Sequence, residues 1–151
     1  MNNFIMLIGL PASGKSTYAR SKANDNVIVL SSDEIREKIS NGVYNKKINR
    51  QVFSTMNNLT IKYLNENKDV IYDATNLNNK DRKGILNRIK LETHNIHSKA
   101  VFFDVDFDTC LKRNDVRTEN KVPYQYMLFY RNKIQKPTED EGFDEIEFIV
   151  G

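Results

Sequence analysis

GLPASGKST, residues Gly9 to Thr17, sets the architecture of the whole chain. It spells G-x-x-x-x-G-K-S/T, and the apolar run Phe4–Ile8 leads straight into it. A strand, a glycine-rich turn and a helical pattern in that order make a loop that cradles phosphates. Gly9 and Gly14 permit backbone torsions that let several N–H groups converge on phosphate oxygens. The helix that follows aims its positive end at the same place. Lys15 adds a full charge within reach of the β- and γ-phosphates, and the Ser16 hydroxyl is the expected Mg²⁺ ligand. The residues expected to hold ATP are therefore Gly9, Ala12, Ser13, Gly14, Lys15, Ser16 and Thr17, with Mg²⁺ alongside.

Outward from this loop, short apolar runs alternate with longer helical patterns. Strands are predicted at Phe4–Ile8, Val27–Leu30, Val70–Tyr72, Ala100–Val105 and Ile146–Val150. Helices are predicted at Lys15–Ala23, Asp33–Ser40, Asn49–Asn65, Asn78–Leu91, Phe107–Asn114 and Pro123–Ile134. The strands read as buried on both faces. In the third helix Val52, Met56, Leu59 and Tyr63 recur at three- and four-residue spacings, which gives one apolar face. Such alternation predicts an α/β fold with a central parallel sheet of about five strands flanked by helices. Asp115–Val122 is polar and weakly periodic, and reads as a mobile loop.

The chain has 151 residues, a net charge of +3 and one cysteine, Cys110. That length predicts one domain over 1–151. No apolar run is long enough to span a bilayer, the N-terminus does not read as a signal peptide, and a lone cysteine suits a reducing, cytoplasmic location. His94 and His97 form an isolated H-x-x-H and read as surface residues. Charge is unevenly spread: Thr138–Gly151 holds six acids and no Lys or Arg, which leaves the rest of the chain at +9. A body of that sign suits polyphosphate or nucleic acid, although solvated basic helix faces would look the same.

Ligands of such sheets gather beyond the carboxyl ends of the strands. After the second predicted strand come Ser31, Ser32 and Asp33. Asp33 could take the proton of an acceptor hydroxyl, and Ser32 or Asp33 could equally cap the next helix. Arg36 follows at i+3 on the same face and could clamp an acceptor phosphate. After the third strand comes Asp73, placed like a Walker B carboxylate, then Thr75 and Asn76. Arg113 and Arg117, four apart, would share a helical face if the helix persists, and could close over ATP. GTPases need a base-reading Asn-Lys-x-Asp that is lacking here, so a kinase of the nucleotide-kinase type fits best.

Together these motifs resemble the polynucleotide 5′-hydroxyl kinase family, in its phage and animal repair branches. The resemblance rests on Gly9–Thr17 followed by Tyr18-Ala19-Arg20, on Asp33 and Arg36, and on Asp73–Asn76. It rests further on Arg113, Asn114 and Arg117, on Lys121-Val122-Pro123, and on the tail YRNKIQKPTEDEGFDEI. It implies that Lys15, Asp33 and Arg117 are catalytic, with Asp33 the general base. Arg36, Asp73 and Asn76 would contact the acceptor, and Arg113 with Arg117 would close on ATP. The partner implied is the 5′-hydroxyl end of DNA or RNA. The 3′-phosphatase signature D-x-D-x-T is imitated only by Asp104–Thr109, inside the kinase pattern, so no phosphatase module is expected. Two alternatives stand beside this reading: a kinase of the same fold acting on a small hydroxyl compound, and an ATP-binding module without transfer chemistry.

Overall fold

The computed structural model describes all residues 1–151. Its strands are β1 (Asn2–Ile8), β2 (Val27–Ser31), β3 (Asp69–Asp73), β4 (Ile96–Asp104) and β5 (Glu145–Val150). Its helices are α1 (Lys15–Lys22), α2 (Ser32–Ser40), α3 (Lys46–Asn65), α4 (Asn79–Glu92), α5 (Phe107–Asp115) and α6 (Tyr124–Lys133), with a 3₁₀ turn at Glu139–Glu141. The strands form one parallel sheet in the order β2-β3-β1-β4-β5. Every carboxyl end therefore lies on one edge, with β1 and its loop at the centre.

Alternation along β1 builds two cores. Phe4, Met6 and Ile8 face one layer, where Val52 and Met56 of α3 and Leu86 and Ile89 of α4 cover them. Leu7 faces the other, against Ala19 of α1, Cys110 of α5 and Met127 of α6. Burial on both faces, predicted for every strand, holds for β1, β3 and most of β4. It does not hold for the edge strands β2 and β5, which remain partly exposed because each has one neighbour.

Two boundaries differ from expectation by three residues or more. β4 starts four residues early, at Ile96, because its polar first residues pair with the start of β1 and Ser98 is tied to Asp144. α3 starts at Lys46, where Asn45 Oδ1 accepts from Ile48 N at 2.9 Å. α5 ends at Asp115, so Arg117 lies beyond the helix and the shared face expected for Arg113 and Arg117 does not form.

Candidate active site

The phosphate loop bends where the sequence lets it. Gly14 sits at φ 106° and Ala12 at φ 66°. A side chain on Gly9 would place Cβ 2.6 Å from Ser13 Oγ and 3.1 Å from Phe103 Cβ, so any larger residue would have to displace Ser13 and Phe103. α1 begins without a side-chain cap, leaving its first N–H groups free for an anion. Two further features fit a nucleotide phosphate. Ser13 Oγ is buried without a hydrogen-bond partner. Lys15 is buried and donates only to the loop carbonyls of Gly9, at 3.0 Å, and Leu10, at 2.7 Å. Burial lowers its pKa to about 8, against the opposing pull of Asp73 and Asp33.

Ser16 Oγ donates to Asp73 Oδ2 at 3.1 Å. This joins the expected metal ligand to the carboxylate ending β3, an oxygen pair suited to Mg²⁺. Burial pushes the Asp73 carboxyl up, while Lys15 and Ser16 pull it back. The backbone beside it is tied to the loop, since Gly9 N donates to Thr75 O at 3.2 Å. Asn76, at φ 51°, donates from Nδ2 to Leu7 O at 2.6 Å and Ala74 O at 3.2 Å. Its amide nitrogen is therefore spent on holding β1 to the β3 turn.

Asp33 does not cap α2. The cap of α2 is Ser31, whose Oγ accepts from Glu34 N at 3.4 Å, so neither Ser32 nor Asp33 is needed there. The Asp33 side chain is 72% exposed and lies 3.7 Å from Arg36 Nη1. Arg36 is buried, donates from Nη2 to Asn49 Oδ1 at 2.7 Å, and leaves Nε unpartnered. From the other side, Arg113 Nη1 reaches Ala12 O of the phosphate loop at 3.4 Å. Arg117 lines the same cleft, and its charge acts on Lys15.

The segment Val116–Pro123 is irregular, as expected, but its base is fastened. Buried Asn114 donates to Val122 O at 2.7 Å and accepts from Val122 N at 2.9 Å. The D-x-D-x-T mimic has a structural role as well: Asp106 caps α5, accepting from Thr109 N and Oγ1, each at 2.9 Å. His97 pairs with Glu145 at the sheet edge, and no group of three or more His, Cys, Asp or Glu is arranged to hold a metal.

Sequence reasoning missed one buried pair. Arg82 is fully buried; its Nε and Nη2 lie 2.7 and 3.1 Å from the Glu141 carboxylate. Its Nη1 donates to Asn76 O at 2.8 Å and Leu77 O at 3.1 Å. This fork holds the β3–α4 turn, on which Asp73 and Asn76 sit. The signal was present: Arg82 occupies the position on α4 that precedes Leu86 and Ile89 in the buried stripe.

A family model described as "AAA domain" matches residues 4–134. The chain is 30% identical to the L-seryl-tRNA(Sec) kinase of Methanococcus maripaludis, over 97% of this chain and 58% of that protein. It thus spans somewhat more than half of that relative's length. Among solved structures it superposes on a chain of the Pnkp1/Rnl/Hen1 RNA repair complex, with TM-score 0.69 and 24% identity over 92% of this chain and 46% of that one. Kti12 of Chaetomium thermophilum, solved with ADP-AlF3, gives TM-score 0.69 and 15% identity over 97% and 88% of the two chains. The chain belongs to the AAA domain family and is built on the P-loop kinase fold.

Proposed function

We propose that the chain is an ATP-dependent kinase that phosphorylates the 5′-hydroxyl end of a polynucleotide. The observation that carries this reading is the exposed, uncapped Asp33 beside Arg36, whose charge reaches Lys15 of the phosphate loop. The cleft of about 2230 Å³ around them is lined by ten Lys or Arg residues and four Asp or Glu. That balance favours a polyanionic acceptor over a small neutral alcohol. The relative named as an L-seryl-tRNA(Sec) kinase and the neighbour from an RNA repair complex are consistent with an acceptor hydroxyl carried on RNA.

In this mechanism the loop N–H groups and Lys15 hold the β- and γ-phosphates. Ser16 Oγ, with Asp73, would hold a magnesium ion, which supplies charge neutralisation on the phosphates. Asp33 accepts the proton of the attacking hydroxyl as its oxygen bonds to the γ-phosphorus and the bond to the β,γ-bridging oxygen breaks. Arg36 holds the phosphate next to the acceptor nucleoside. Arg113 and Arg117 stabilise the charge spreading over the transferred group. Asn76 shapes the turn under the acceptor.

The test is transfer of labelled γ-phosphate from ATP to short 5′-hydroxyl RNA and DNA, with seryl-tRNA in a parallel arm. Asp33→Asn is expected to cut the rate by about 10²- to 10⁴-fold with ATP binding intact. Label on seryl-tRNA alone would replace the polynucleotide reading with a second one, a kinase for a seryl hydroxyl carried on tRNA, which the 30% identity over nearly the whole chain favours. ATP binding with no transfer to any of the three acceptors would refute both.

A further inference from the structure

Beside Asp33 and Arg36 the cleft carries three tyrosines, two of which, Tyr44 and Tyr126, belong to neither core nor phosphate loop. Tyr44, in the turn between α2 and α3, is 65% exposed, and the Arg36 guanidinium lies 4.7 Å from its ring centre. From a different element, α6, come Tyr126, 53% exposed, and one turn further on Tyr130. All three line the cleft that holds Asp33. Their nearness to the acceptor residues is independently marked. Burial raises the pKa of the Tyr130 hydroxyl, and the charges acting on it belong to Tyr44, Asp33, Arg36 and Tyr126.

Packing does not account for Tyr44 and Tyr126, both more than half exposed. Met127 is the buried anchor of α6 and Tyr130 packs half-buried against the same core, while Tyr126 is left in water. Clustered exposed aromatics mark a binding surface. The neighbouring cation narrows its chemistry, because Arg36 is buried, stacked on Tyr44, and has Nε without a partner. Flat rings flanking a cation that can take a phosphate, beside a carboxylate that can take a hydroxyl proton, match one nucleoside with its 3′-phosphate. Stacking would hold the base, Arg36 the phosphate and Asp33 the hydroxyl. None of the motifs behind the family resemblance contains Tyr44 or Tyr126.

We propose that Tyr44 and Tyr126 clamp the nucleobase of the 5′-terminal nucleoside, which makes the enzyme selective for unpaired 5′ ends. The proposal rests on the kinase reading above. It goes further because two rings can enclose a base only when that base is out of a duplex. A base pair keeps one face stacked on the next pair and one edge hydrogen-bonded.

The experiment compares label transfer to a five-nucleotide single strand, the same strand with an abasic 5′ residue, and the same 5′ end in a blunt duplex. The enzymes are the full chain and its Tyr44→Leu, Tyr126→Leu and Tyr44→Phe variants. For the unaltered protein the abasic and duplex ends are expected to show KM values about 10- to 100-fold above the single strand. Either leucine variant raises KM for the normal end by a similar factor and abolishes discrimination against the abasic one, with KM for ATP unchanged. Tyr44→Phe keeps the discrimination. Binding a strand with 2-aminopurine at its 5′ terminus quenches that fluorophore in the unaltered protein and not in the leucine variants. Equal KM values for normal and abasic ends, or binding without quenching, would overturn the clamp and leave the kinase reading standing. No label on any strand would sink the kinase reading and the clamp with it.

Discussion

Arg82 and Glu141 carry the heaviest electrostatic stake of any pair in the molecule, since both side chains are almost completely out of water. Removing one partner strands a buried charge, so Glu141→Ala is expected to cost about 3–5 kcal/mol of stability. Urea unfolding followed by circular dichroism would measure it. At this scale the site was partly legible. Lys15, Ser16 and Asp73 meet as the motif spacing predicts, because a strand end and a loop at the sheet centre have few places to go. The Arg82 pair was not legible, because its partners lie 59 residues apart and a lone arginine in an apolar stripe does not name its counter-ion. Asn76 shows the same limit from the other side. Its type fits a substrate contact, and only tertiary geometry reveals that its amide is committed to the backbone.

Among the elements, α4 contains a glycine with no packing reason. A Cβ on Gly84 would meet nothing within 4 Å. Gly84→Ala is therefore expected to raise stability by about 0.5–1 kcal/mol, through the entropy of the unfolded chain, readable as an increase in the urea midpoint. The Val116–Pro123 loop behaves differently. Its two ends are joined through one side chain, so Asn114→Ala is expected to loosen it and lower kcat with little loss of fold; hydrogen exchange at Val122 against turnover would check this. Element identities were readable because each core strand is a short apolar run, α2 to α5 each follow a side-chain cap, and the phosphate-loop motif announces α1. Boundaries were not, where pairing or capping overrides hydrophobicity. The polar start of β4 is strand because β1 lies beside it, and α3 starts three residues early because Asn45 caps it.

For the molecule as a whole, charge is sorted into regions. The acids of β5 are spent on β4, where Glu145 and Glu147 pair with Lys99 at 3.2 and 2.7 Å, and neither lines the cation-rich cleft. A polynucleotide making three phosphate contacts there should lose about 20-fold in affinity between 50 and 200 mM salt, and fluorescence anisotropy would show whether it does. Asp144 ties the same edge by accepting from Ser98 N and Oγ at 2.9 and 3.1 Å, and the bond from the Ser98 N–H in particular holds its carboxyl below the usual range. Its folded pKa is the lower one, so its stabilising effect is complete above the unfolded value of 3.8 and is lost as pH falls through the folded one. The stability gap between the protein and Asp144→Asn should thus narrow on acidification, in thermal melts run from neutral pH downward. The sorting itself could be seen in the sequence as an acidic tail on a basic body, but its destination, an edge strand, could not.

The bond from Arg82 to Glu141 also carries a meaning in time. Every residue assigned to ATP, to the metal and to proton transfer precedes position 118, whereas the carboxylate that neutralises Arg82 comes at 141. On the ribosome the chain makes its whole reactive set before it makes the counter-ion that seats the turn beneath it. Until Glu141 has left the exit tunnel, Arg82 lacks its counter-ion, and only its bonds to the carbonyls of Asn76 and Leu77 hold the turn. Copies that have not yet exposed Glu141 should therefore be unable to act on nucleotide during translation, and competence should arrive in one step once it has emerged.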